Sequence, residues 1–276
     1  MKKTYIFSPS ELSYICYHCA YMKHNHNLED RGISAGITGE LDSIQKKYFL
    51  GDAKKIDNSI PEGEVIDPDF KNESFISKEL LDNKKRRFRI RGKGDALIKF
   101  KDKTSGIIDY KTSKFKNKDG SDYSLDLMLK VKEYDPQLHA YSLMYSNLEK
   151  DEATLREHDK GTKMGWKTST IDTRIKERLE KIKEIEVNKT SLMGLVFVYP
   201  EEMVEGNRLN VAFSYLFQQV DYKPEKFMDL ITKYIDNLEQ KAVPAVPEKC
   251  KDTTKQQHCY MHSFFFDEKK LEGIKN

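Results

Sequence analysis

The sequence predicts an α/β fold, helices packed on a β-sheet, and three observations carry that reading. Two apolar strand-like runs, residues 87–100 and 107–112, are joined by a short polar loop holding Asp102, Ser105 and Gly106, which is hairpin punctuation. Leu192 to Tyr199 is a continuous apolar run ended by Pro200, the pattern of a buried strand. Around these, residues 36–49, 174–185 and 224–240 repeat apolar side chains at helical spacing.

A chain of 276 residues can bury a substantial core. No internal repeat or domain boundary is visible, so a single domain over 1–276 is expected. The 48 basic and 45 acidic residues leave a formal charge of +3, which announces no nucleic-acid partner by itself. No apolar run approaches a membrane span, and Met1-Lys2-Lys3 has no signal-peptide core behind it. A cytoplasmic, or at least intracellular, protein with no membrane partner is the expectation.

Taken in order, residues 36–49 should form a helix with Leu41, Ile44, Tyr48 and Phe49 turned inward. Residues 51–85, with Pro61, Gly63 and Pro68, read as a polar, loop-rich bridge to the sheet. Lys84, Lys85, Arg86, Arg87, Arg89, Arg91 and Lys93 then run into Asp95, and Arg87, Arg89, Arg91 and Lys93 share one strand face. Such a stripe can track phosphates, and the competing reading is an edge strand protected by charge.

The chemistry concentrates at Gly94-Asp95-Ala96 and at Ile107-Ile108-Asp109-Tyr110-Lys111-Thr112. Side chains alternate along a strand, so Asp109 and Lys111 project from one face and Ile108 and Tyr110 from the other. Charges entering a strand flanked by Ile107 and Ile108 are costly unless they pair or bind a metal. Asp95 and Asp109, delivered by neighbouring strands beside a lysine, make a hard-oxygen site for Mg²⁺ or Mn²⁺. That set suits phosphodiester hydrolysis.

Next, Tyr134 to Met144 reads as the start of a helix, with Asp135 as N-cap and Pro136 as first helical residue. Gln137 and Tyr141, four apart, share one of its faces. The charged stretch 150–190 reads as a helical insertion. In it Trp166 is expected to anchor the core, stacking on a nucleic-acid base being the alternative, and the stripe Ile175, Leu179, Ile182, Ile185 has flanking charges expected to be solvated. Residues 210–220 suggest a further strand. Phe227, Leu230, Ile231, Tyr234, Ile235 and Leu238 mark an amphipathic helix over 224–240. Pro244 and Pro247 break it and lead an arm, residues 244–262, toward the last two cysteines.

Cys16 and Cys19 form a C-x2-C pair near one end, and Cys250 and Cys259 lie near the other. In a reducing compartment such a pair reads as a metal clamp rather than a disulfide, the alternative being buried small hydrophobes. His18, His24, His26, His258 and His262 are near enough in sequence to replace a thiolate. Zn²⁺ accepts four thiolates readily.

Gly94-Asp95, Asp109-Tyr110-Lys111-Thr112, and Gln137 with Tyr141, in this order, resemble the PD-(D/E)XK nuclease superfamily, in particular its RecB-like, CRISPR-associated exonuclease branch. Ser8-Pro9-Ser10-Glu11-Leu12, followed by Cys16 and Cys19, also looks like the opening helix of these nucleases. The resemblance runs from about residue 7 to about residue 262, and the middle, from about 150 to 190, has no counterpart in it. It implies a restriction-endonuclease-like core, a central mixed sheet flanked by helices. It also implies metal-dependent hydrolysis of DNA, exonucleolytic on single strands or duplex ends. Asp95, Asp109 and Lys111 would be catalytic. Asp95, Asp109, the Tyr110 carbonyl and Asp42, with Glu40 as second choice, would hold one or two Mg²⁺ or Mn²⁺ ions. Relatives of this branch commonly place a histidine near Asp42, and this chain has none there. Gln137 and Tyr141 would contact the substrate, together with Arg89 and Arg91 of the basic stripe.

Some members of the branch tie their termini with a four-cysteine [4Fe-4S] cluster, usually from one amino-terminal and three carboxyl-terminal cysteines. Here the division is two and two, Cys16 and Cys19 with Cys250 and Cys259, which leaves [4Fe-4S] and Zn²⁺ both open. Such a metal would join the termini. DNA is the expected partner, with recombination, replication or CRISPR-adaptation proteins beside it. A non-catalytic nucleic-acid-binding module that keeps the nuclease fold, or an endonuclease, are the alternatives.

Overall fold

The computed structural model describes residues 3–13, 16–27, 36–112, 124–204 and 210–245. In chain order these form β1 (Thr4–Phe7), α1 (Pro9–Ser13), α2 (Tyr17–His26), α3 (Gly36–Phe49), β2 (Gly51–Asp52), a 3₁₀ turn (Ala53–Lys55), β3 (Gly63–Ile66), β4 (Phe75–Ile76), β5 (Leu80–Leu81), β6 (Arg87–Gly92), β7 (Ala96–Phe100) and β8 (Ser105–Thr112). They continue as α4 (Ser124–Tyr145), α5 (Glu152–His158), α6 (Lys160–Lys163), α7 (Thr168–Ile185), β9 (Thr190–Val204), β10 (Asn210–Val220) and α8 (Pro224–Leu238).

The larger sheet has the order β10-β9-β8-β7-β3-β2, with β8 and β9 parallel and its other pairs antiparallel. A smaller sheet places β6 parallel to β1 and antiparallel to β4 and β5. This is the mixed α/β arrangement expected. Alternation along β8 divides the core in two. Ile107 shares one face with Leu97, Met193, Leu195, Phe197 and the α4 residues Leu138 and Met144. Ile108 and Tyr110 share the other with Ile98, Val196, Val198 and Phe49 of α3. The site therefore lies on a strand with helices on both sides, α4 and α3. Among the described residues no helix is long and apolar enough to cross a membrane.

Several expectations need correction. The run 87–100 is two strands in two sheets, broken at Lys93, Gly94 and Asp95. The break follows from a close approach: the Gly94 N–H donates to Tyr145 Oη at 2.9 Å, and a Cβ on Gly94 would lie 3.0 Å from that ring. Residues 51–85 hold four strands of two to four residues, too short for alternation to show. Helix α4 begins at Ser124, not at Asp135, and Pro136 is inside it. Proline removes one helical hydrogen bond there, and burial of Leu138, Ala140, Tyr141, Met144 and Tyr145 holds the following turns in place.

Strand β9 also runs on through Pro200. Among the described residues the last β8 pair is Thr112 with Val198, and Pro200 pairs with Phe213 of β10 next to the register shift between Val211 and Phe213, a place in a sheet where proline is tolerated. The inward face of α3 is not Ile44 and Tyr48, which are 61% and 58% exposed, but Gln45 and Phe49. In α7 the expected stripe is buried at Ile175, Ile182 and Ile185, yet Arg174 and Arg178 are buried with it. Glu73 pairs with both guanidiniums, and the fully buried Asp159 carboxylate lies 3.5 Å from Arg174 Nε and 3.9 Å from Arg178. Trp166, 38% exposed, carries the Arg174 guanidinium over its ring at 5.1 Å and so only partly fills a core role.

Candidate active site

Alternation on β8 puts Asp109 and Lys111 on the α4 face, as the sequence requires. Asp109 is 1% exposed, and Lys111 Nζ lies 2.5 Å from its Oδ2. Asp95 stands just before β7. Its Oδ2 accepts the Tyr110 N–H at 2.9 Å, which ties it to the point where the β7 ladder stops, the last pair being Ala96 with Ile108. The N–H and C=O of a strand residue point to the same side, so the Tyr110 carbonyl is directed to that same open edge.

Burial pushes the Asp109 carboxyl up to about 7; Lys111 opposes the shift, and the neighbouring Asp95 carboxyl, within hydrogen-bonding reach, adds to it. Burial would lower the Lys111 ammonium, but Asp109 and Asp95 together hold it above the usual lysine range. The pair is thus a protonated lysine beside a carboxyl that ionises only with difficulty.

Gln137 ties these groups together and is itself buried. Its Oε1 accepts from Lys111 Nζ at 3.0 Å and from Ser13 Oγ at 3.0 Å. Its Nε2 donates to Asp109 Oδ1 at 3.3 Å and to Tyr141 Oη at 3.2 Å. Gln137 and Tyr141 do share a face, and that face is turned into the protein. Lys111 Nζ also rests over the Tyr134 ring at 4.3 Å. Sequence reasoning missed Ser13, Tyr134 and Lys46 as members of this site. Of these only Tyr134 carried a signal, lying three residues before Gln137.

Helix α3 approaches from the other side. Lys46 Nζ lies 2.9 Å from Asp42 and 3.1 Å from Asp95 Oδ1, and Gln45 donates to Thr112 Oγ1 at 3.1 Å. Burial lowers the Lys46 ammonium, and Asp95 and Asp42 more than reverse this. Asp42 thus meets Asp95 through a lysine, and Glu40 is exposed. Among the described residues no group of three or more His, Cys, Asp or Glu side chains is arranged to hold a metal ion. Asp95, Asp109 and the Tyr110 carbonyl remain as an all-oxygen donor set. Mg²⁺ suits such a set, since it binds through one or two carboxylates and fills its shell with water and phosphate oxygens.

The arginine stripe is engaged elsewhere. Arg89 donates to Glu149 at 2.6 Å and to the Ser77 carbonyl at 2.9 Å, and Arg91 lies 3.4 Å from the His158 carbonyl. Lys93, beyond the end of β6, pairs with Asp69.

Cys16 and Cys19, both half-buried, sit at the start of α2, and the intervening His18 Nδ1 lies 2.8 Å from the Pro244 carbonyl. His24 is paired with Glu11 at 3.0 Å, and His26 lies beside the Tyr21 ring. Cys250, Cys259, His258 and His262 lie outside the described residues.

Comparison with protein families matches the PD-(D/E)XK nuclease superfamily over residues 26–263. Comparison with curated proteins finds no match. Among solved structures, the crystal structure of SSO0001 is similar with a TM-score of 0.44 and 15% identity, over 95% of this chain and 89% of that one.

Proposed function

The chain belongs to the PD-(D/E)XK nuclease superfamily, and from that membership we propose a Mg²⁺- or Mn²⁺-dependent deoxyribonuclease of the RecB-like, CRISPR-associated exonuclease branch, acting on single strands or duplex ends. The observation that carries the reading is the Lys111 ammonium, 2.5 Å from Asp109 and steadied by Gln137, on the strand edge that Asp95 also reaches.

Asp95, Asp109 and the Tyr110 carbonyl would hold the ion. When bound, it lowers the pKa of a water and polarises the scissile phosphate. Lys111, protonated at every working pH, offsets the negative charge that grows on the phosphoryl oxygens as water adds and the ester oxygen leaves. Gln137 fixes both Lys111 and Asp109 through its two amide ends, so neither has to reorganise during the reaction. Tyr141 Oη and Ser13 Oγ hold Gln137 in turn. We assign Arg89 and Arg91 no DNA contact, because their guanidiniums already have partners inside the protein.

We further propose that Cys16, Cys19, Cys250 and Cys259 bind a [4Fe-4S] cluster, with Zn²⁺ as the alternative. The support is the His18–Pro244 contact, which returns the chain to the first cysteine pair only six residues before Cys250. Iron and sulfide analysis of anaerobically purified protein tests this, and stoichiometric zinc without iron refutes the cluster. The branch also suggests recombination, replication or CRISPR-adaptation proteins as partners.

The deciding experiment is a Mn²⁺-dependent cleavage assay on end-labelled single-stranded DNA, duplex DNA and closed circles, with wild type beside Lys111→Ala. Degradation of the linear substrates, intact circles and loss of activity in the variant are expected. Full activity in Lys111→Ala refutes the site, and cut circles refute end dependence.

A further inference from the structure

With Arg89 and Arg91 engaged internally, another surface is needed to receive the DNA strand. The strongest candidate is beside α3. Three aromatic side chains are exposed there: Tyr48 at 58%, Phe213 at 42% and Tyr215 at 40%. Phe213 and Tyr215 alternate outward on β10, pairing with Pro200 and Val198, so they extend the sheet face that carries Tyr110. The Tyr48 and Tyr215 rings meet edge to face at 6.3 Å. Tyr215 is held rigidly: its hydroxyl donates to the Lys55 carbonyl at 2.8 Å, and its ring meets Phe49 at 5.0 Å.

Two further features decide what would cover this shelf. The first is proximity to Asp95. The helix that carries Tyr48 also carries Lys46, whose Nζ lies 3.1 Å from Asp95 Oδ1, so the shelf and that carboxylate meet at α3, while Asp109 and Lys111 project from the opposite face of β8. The second is charge. Lys47, next to Tyr48 in α3, and Lys55, whose carbonyl accepts the Tyr215 hydroxyl, are both exposed. Apolar rings rimmed by ammonium groups and leading to a phosphodiester site match an unpaired nucleic-acid strand, whose bases offer flat faces and whose backbone offers anions. A duplex keeps its base faces covered.

We propose that Tyr48, Tyr215 and Phe213 form a base-stacking shelf for single-stranded DNA entering the Asp95–Asp109 site. This rests on the nuclease reading above and assigns the strand its path. The substitution Tyr48→Ala is a clean probe because the side chain is mostly exposed, and its melting temperature relative to wild type verifies that the fold is kept.

The test is fluorescence-anisotropy binding of a labelled single-stranded oligonucleotide and its duplex, with Ca²⁺ in place of Mg²⁺ to prevent cleavage. Proteins compared are wild type, Tyr48→Ala, Tyr48→Phe and the double variant Tyr48→Ala/Phe213→Ala. Single-strand affinity should fall about five- to tenfold in Tyr48→Ala and further in the double variant, stay within about twofold in Tyr48→Phe, and change little for duplex. Tight single-strand binding by wild type that Tyr48→Ala leaves unchanged overturns the shelf while the nuclease reading stands. No binding of either oligonucleotide by wild type overturns both. Self-association of wild type that Tyr48→Ala abolishes, measured by light scattering, overturns the shelf in favour of a second copy of this chain.

Discussion

Lowering the pH from 8 to 6 should weaken divalent-metal binding about tenfold. The Asp109 carboxyl is buried, and burial raises it to about 7 despite the ammonium of Lys111 beside it. A group titrating there is about nine-tenths ionised at pH 8 and about one-tenth ionised at pH 6. In the proposed metal site only the ionised Asp109 carboxyl would be a ligand, so the proton would compete with the metal, and the competition would strengthen as pH falls through the carboxyl's own titration. The penalty between the two conditions is about 1.4 kcal/mol. Each metal ion bound at pH 6 should release nearly one proton, and almost none at pH 8. Calorimetric titration of Mn²⁺ into DNA-free protein, run in two buffers of different protonation enthalpy, measures both quantities. Asp109→Asn should abolish the proton release. Equal Mn²⁺ affinity at pH 6 and pH 8 with no proton released at pH 6 would refute the reasoning, because it would mean that burial does not control this carboxyl.

Three other substitutions probe neighbouring parts of the argument. Gln137→Leu keeps the volume but removes the links to Lys111, Asp109, Tyr141 and Ser13; kcat should fall about 10- to 100-fold, the melting temperature should drop because buried partners lose their hydrogen bonds, and unchanged kcat in the folded variant argues against the positioning role. Lys46→Met removes the ammonium lying 2.9 Å from Asp42 and 3.1 Å from Asp95, so Mn²⁺ should bind up to about fivefold tighter by calorimetry; weaker binding would mean Lys46 organises the carboxylates instead of competing for them. Glu73→Ala leaves Arg174 and Arg178 with Asp159 as their remaining carboxylate partner and should cost about 3–5 kcal/mol, read as a loss of about 10 °C in thermal melting. A change below about 1 kcal/mol would show that water satisfies the two guanidiniums.

What could be read from the sequence was whatever depends on strand period and on residue chemistry. Asp109 and Lys111 on one face, Asp95 one strand away, the buried run at Leu192 to Tyr199 and the apolar stripe of α8 all follow from local pattern. Features set by tertiary contact were hidden. Nothing local distinguishes Lys46, which faces two carboxylates, from Lys47, which faces solvent. The buried arginines of α7 look like surface charges until Glu73 and Asp159 arrive from other segments. The arginine run of β6 reads as a phosphate track because sequence cannot reveal that Glu149 and the Ser77 and His158 carbonyls already occupy two of its guanidiniums. Gln137 reads as a substrate contact, not as a buried brace between Lys111 and Asp109, because a helix face shows its period but not what it meets.

The parallel pairing of β8 with β9 has a consequence for synthesis. Asp109 lies beside Leu195, yet α4 to α7 separate the two strands along the chain. While the ribosome is making those helices, β8 has a partner only on its β7 side, and its backbone N–H and C=O groups on the other side form an unpaired edge. The nascent chain therefore carries Asp95, Asp109 and Lys111, the side chains of the proposed site, before the strand that holds β8 on its other side, and activity at that site would await the arrival of β9. A translation product halted in α7 would expose a hydrophobic strand to other chains and would be a substrate for chaperones and proteases rather than a nuclease.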